Sequence, residues 1–196
     1  MHFDPNKSRL RSSVTGLLLL LGPVAACQDA PSEAHDEAAP AVTATTESTC
    51  AELGILQGIL SGAINASLDW PDAALRCESM PRPDAAGVRL RLSGDVAGER
   101  VAIIIAMPDL EPGAAGTEFR SNVTITVEGS GRFFSTPNLE TCWTDVMKNE
   151  PLQDMPDTYV VAGDLYCVGP LGEVNGDAFV DVSMLRFSSV ADWTAK

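Results

Sequence analysis

Histidine is nearly missing from this chain. Its 196 residues include two, His2 and His35, and both precede the long patterned region that begins at Cys50. That region has no imidazole for Ser-His-Asp or Cys-His catalysis, for general acid–base work at neutral pH, or for the usual zinc and iron ligand sets. Basic side chains are scarce as well, with 13 Lys plus Arg against 27 Asp plus Glu and a net charge of −14. A nucleic-acid binder must neutralise phosphates, so nucleic acid is excluded as a partner. Electrostatic docking on anionic lipid is excluded for the same reason. Lysine occurs at Lys7, Lys148 and Lys196, which leaves a lysine-based mechanism little to work with. GxSxG, HExxH and the Walker lysine loop do not occur. The longest apolar stretch, Val14–Ala26, is shorter than the about 20 residues that a membrane-spanning helix needs.

Apolar residues at 45% and charged residues at 20% suit a globular domain. The chain starts with Lys7, Arg9 and Arg11, continues through the apolar Val14–Ala26 stretch, and reaches small residues before Cys27. This order is that of an export signal. Val24-Ala25-Ala26-Cys27 resembles the lipobox of bacterial lipoproteins. The resemblance implies a signal peptide over 1–26, lipid modification of Cys27 as the new N-terminus, and stable membrane anchoring through several acyl chains. Gln28, standing where Asp favours inner-membrane retention in lipoproteins of this kind, implies the outer membrane rather than the inner one. Ordinary secretion with cleavage after Ala26 is the alternative. Residues 28–49 carry five acids, no Lys or Arg and almost no large apolar group. They are expected to form a disordered acidic tether reaching roughly 25 Å.

Residues 50–196 hold 10 basic and 21 acidic side chains and are expected to form one domain. Setting Cys27 aside leaves Cys50, Cys77, Cys142 and Cys167, an even number for an oxidising compartment. Three pairings are possible. Cys50–Cys77 with Cys142–Cys167 is preferred, because it closes the shorter local loops.

Hydrophobicity alternates with a period of two. Ile64, Ala66, Leu68 and Trp70 are separated by Asn65, Ser67 and Asp69; the same holds over Val88–Leu92 and Val123–Val127. Such alternation marks strands with one buried and one wet face. Val101–Met107 is apolar throughout and is stopped by Pro108, as in a central strand. Further strands are expected at 132–135, 142–147, 159–168 and 178–187. Ala51–Leu60 reads as strand or short helix, with strand preferred. The expected fold is an all-β antiparallel β-sandwich, immunoglobulin-like or jelly-roll-like, of about eight strands with two disulfides. Residues 145–157, with two prolines and four acids, are expected to loop out between half-cystines as a recognition surface or a plain connector.

Carboxylates remain as the available chemistry, and a facing pair could run glycoside hydrolysis. Glu173, Asn175, Asp177 and Asp181 fall where an EF-hand or dockerin calcium loop places ligands. However, Ala178 and Met184 replace the turn glycine and the closing acid of that pattern. A tight Asn-Gly hairpin is the preferred reading of this stretch; calcium is the alternative. Trp70 and Trp193 each follow an Asp and are candidates either for stacking on a sugar ring, with the acid taking hydroxyls, or for packing in the core. Trp143, beside Cys142, is expected to cover a disulfide in the core. Phe133 and Phe134 must face opposite sides of a strand, so one is exposed unless both faces of the sheet are covered. Whole-chain resemblance goes no further than proteobacterial lipoproteins without an assigned activity. The expected role is a membrane-anchored, non-enzymatic binding or structural module of the cell envelope with a protein or glycan partner and no cofactor. A carboxylate hydrolase of envelope glycans and a calcium-stabilised adhesin-like domain are the rivals.

Overall fold

The computed structural model describes residues 49–80 and 86–194. The expected signal segment, Cys27 and residues 28–48 of the expected tether lie outside the described residues.

Twelve strands form one antiparallel sheet among the described residues. They are β1 (Ile55–Gly62), β2 (Ala66–Pro71), β3 (Arg76–Ser79), β4 (Val88–Val96), β5 (Glu99–Met107) and β6 (Gly116–Val127). The rest are β7 (Arg132–Ser135), β8 (Cys142–Leu152), β9 (Met155–Cys167), β10 (Leu171–Glu173), β11 (Phe179–Val182) and β12 (Leu185–Asp192). A 3₁₀ turn at Asp72–Ala74 is the one helical element described. The all-β antiparallel class and both preferred disulfides are observed. Strands outnumber the expected eight partly because runs that read as continuous are interrupted. The expected strand 178–187 breaks after Val182. There β1 pairs Leu60 with Val182 but Ile55 with Ser188, so the chain takes up one extra residue. Such a bulge lets a strand bend without leaving its neighbours.

The connectivity is a meander, simpler than the Greek keys of immunoglobulin-like or jelly-roll-like sandwiches. β7 and β8 run end to end along one edge of β6. β10 and β9 line up against them, and β11 and β12 line up next. Both β11 and β12 then pair with β1, so the end of the domain closes onto its beginning. Hairpin follows hairpin because a turn signal separates each pair of alternating runs.

The expected loop at 145–157 is instead a β8–β9 hairpin. Pairing continues to Leu152 and Met155, with Asp154 at φ 67° in the turn. The reason is an inward anchor that composition hides: buried Asn149 donates to the carbonyls of Glu111 and Ala114, at 2.8 and 3.0 Å.

The sheet edges β2 and β3 do not pair with each other. The entering segment is fastened at this seam. Cys50 is disulfide-bonded to Cys77 on β3, Thr49 Oγ1 accepts the Cys77 N–H at 2.9 Å, and Asp72 Oδ1 accepts the Gly54 N–H at 2.8 Å. Ser79 of β3 meets the far end of β12, its Oγ accepting the Asp192 N–H at 2.8 Å. The core between the facing parts of the sheet is built by inward parity. Leu90, Leu92, Ile103, Ile105, Ile125, Phe134, Leu165 and Phe187 are all essentially inaccessible.

Candidate functional site

Strand parity relocates the tryptophans. Trp70 is buried, and its Nε1–H donates to the Asp95 carbonyl at 3.3 Å. Its ring lies on Gly94, where an added Cβ would come within 2.5 Å of Cδ2. Trp70 is therefore core and not a sugar platform. Trp193 is half-buried, edge-on to Tyr159 at 6.1 Å. Trp143, expected in the core, faces outward. Cys142 and Thr144 are both fully buried, so the residue between them must point away. Trp143 is half-buried and stacks on Tyr166 across the β8–β9 pair, with ring centroids 6.1 Å apart and planes 24° apart.

Around this pair the outer face is polar and acidic. Asp69, Gln57, Arg186, Asp164 and Asp145 stand opposite one another in register across β2, β1, β12, β9 and β8. Gln57 donates to Asp69, while Arg186 donates through Nε and Nη2 to the two oxygens of Asp164. Asp145 Oδ1 accepts the Glu118 N–H at 2.9 Å; its second oxygen has no partner among the described residues. Asp145 and Asp164 are thus a cross-strand carboxylate pair on a sheet face, with Asp164 held by a guanidinium. The Tyr166 hydroxyl is pushed above the ordinary phenol range, first by burial and then by the charges of Asp145 and Glu118. Its contribution to stability is therefore present below that range and lost as pH rises through the folded value.

The four calcium-loop positions are not gathered into a ligand set. Asn175, at φ 64°, and Gly176 sit in the turn between β10 and β11, as the hairpin reading expects. Asp181 stands on β11 opposite Ser61. Glu173 turns to Arg132, whose Nε donates to Oε1 at 2.7 Å. Among the described residues no group of three or more His, Cys, Asp or Glu could hold a metal. Gly176 leaves room for the Glu173 side chain: an added Cβ would lie 2.5 Å from Glu173 Oε2.

Arg132 and Glu99 escaped the sequence reading. With Ser130, Asn65 and an apolar floor they line a hollow of about 220 Å³ between the β1–β2, β4–β5 and β6–β7 turns. Parity was the available signal, since Arg132 is in phase with inward Phe134. Its guanidinium lies 5.0 Å over the Phe134 ring.

The Arg132 hydrogen bond, outweighing burial, holds the Glu173 carboxyl below the ordinary carboxylate range. A depressed acid contributes stability that is full above its unfolded value and fades as pH falls through its folded one. Urea midpoints should therefore drop for the wild type between about pH 5 and pH 2. The drop should be smaller in Glu173→Gln, and equal slopes would show that the pair adds nothing on the acid side.

Comparison with protein-family models, with curated proteins and with solved structures returns no match.

Proposed function

We propose that this protein is a lipid-anchored, non-enzymatic module of the cell envelope that holds a glycan on the outer face of β8 and β9. The observation that carries the reading is the outward Trp143–Tyr166 pair with Asp145 and Asp164 two residues along on the same face. Aromatic faces take the apolar side of a sugar ring, and carboxylate oxygens accept its hydroxyls. The chemistry looked for beside Trp70 and Trp193 is thus available at Trp143. An acidic surface suits an uncharged or hydroxyl-rich partner and repels anionic polymers. The absence of histidine after residue 35 supports holding over turnover. The lipobox at Val24–Cys27 supports attachment, and a tether of roughly 25 Å gives reach.

Cosedimentation with isolated cell-wall glycan tests the binding. The wild type should pellet with the glycan. Trp143→Ala should remain mostly in the supernatant, and Asp145→Asn should fall between them. Equal pelleting of wild type and Trp143→Ala, or no pelleting of either, would reject the glycan. For attachment, Cys27→Ser should move the protein from the membrane fraction to the soluble one, and unchanged partition would reject the anchor.

A further inference from the structure

The hollow between the β1–β2, β4–β5 and β6–β7 turns has chemistry that the outer face does not use. Its floor is apolar, with Ile64, Val101 and Val127 all buried. Its one cation among the lining residues is Arg132. Lying over Phe134 and tied through Nε to Glu173, this guanidinium is held in place from beneath and from one side. Neither Nη atom has a partner among the described residues. The Nη1–Nη2 edge is therefore a preformed fork, the geometry that a carboxylate meets with two parallel hydrogen bonds. Glu99 also lines the hollow; its carboxylate acts on Arg132 through its charge and makes no hydrogen bond or ion pair among the described residues.

We propose that this hollow binds a small zwitterion of the α-amino-acid type. The carboxylate sits on the Arg132 fork, the ammonium faces Glu99, and a short apolar side chain rests on Ile64, Val101 and Val127. Charge selects this class. Arg132 is already neutralised by Glu173, and Glu99 leaves the hollow net negative, so a simple anion is repelled. A simple cation would satisfy Glu99 and leave the fork empty. A zwitterion satisfies both ends and adds no net charge. At about 220 Å³ the hollow is below the roughly 300 Å³ at which drug-sized pockets begin, so the side chain must be short. The inference is independent of the glycan reading, because the two sites share no residue.

The test is a titration of the full chain by calorimetry and methyl NMR with three probes. Valine carries both charges, N-acetylvaline the carboxylate alone and valinamide the ammonium alone. Valine should give saturable shifts at Ile64, Val101 and Val127. Each one-ended probe should bind at least tenfold more weakly. Arg132→Gln should abolish valine binding. Glu99→Gln, a change at an exposed side chain, should weaken valine at least tenfold while leaving N-acetylvaline no weaker. If Arg132→Gln does not fold, the Glu99 variant and the one-ended probes decide. Absence of saturable shifts with valine, or equal affinity for either one-ended probe, would overturn the proposal.

Discussion

Replacing Cys50 and Cys77 together by alanine is expected to cost about 3.5 kcal/mol, the chain-entropy value for releasing a loop of this length in the unfolded state. The half-cystines are 27 residues apart, and both are buried. The bond fastens the entering segment to β3 at the seam where β2 and β3 fail to pair. With it gone, that segment keeps the Thr49–Cys77 and Asp72–Gly54 hydrogen bonds, each contributing about 1 kcal/mol net. A fall in melting temperature on the order of 10 °C should accompany the loss. The urea midpoint of the double variant, with the Cys142–Cys167 bond intact, measures it. A change below about 1 kcal/mol would mean that the hydrogen bonds and packing at the seam hold the entering segment without the disulfide.

Phe134→Ala and Phe133→Ala form the second test, since they make the same chemical change at adjacent positions. Phe134 is inaccessible and supports the Arg132 guanidinium; Phe133 is 44% exposed. Truncating Phe134 should cost about 3–5 kcal/mol through lost burial and the cavity left behind. Truncating Phe133 should cost about 1 kcal/mol or less. Denaturant midpoints compared at equal slopes would show the difference, and similar losses would contradict the assigned strand parity.

That these phenylalanines face opposite sides follows from adjacency alone. Which one is buried does not, because both are equally apolar and β7 is short. Arg132 settles it only in retrospect, as an inward charge made tolerable by Glu173, a residue 41 positions away. The Asn-Gly turn was legible because local backbone chemistry favours a hairpin there. Its second duty, leaving room for the Glu173 carboxylate, depends on β7 lying alongside.

Trp143 shows how a local rule misleads. A tryptophan next to a half-cystine reads as a cover for the disulfide. Yet both half-cystines stand directly opposite each other in paired strands, with Cys142 buried. Parity then turns Trp143 to the outside, where Tyr166 meets it. Residues 145–157 misled in the same way. Prolines and acids read as a loop, while Asn149, which anchors the paired hairpin, finds its partners near 111 and 114.

The alternating pattern was enough for the all-β class and loop length for the preferred disulfide pairing, since period-two burial and cysteine spacing are local properties of the chain. The resemblance of Val24–Cys27 to a lipobox, a linear motif, leaves Cys27 as an expectation that a fractionation experiment decides. Register, bulges and the meander brought Trp143 to Tyr166, Asp145 to Asp164 and Arg132 to Glu173. Those meetings depend on long-range pairing, where a shift of one residue reverses every face, and no short stretch of sequence carries that information.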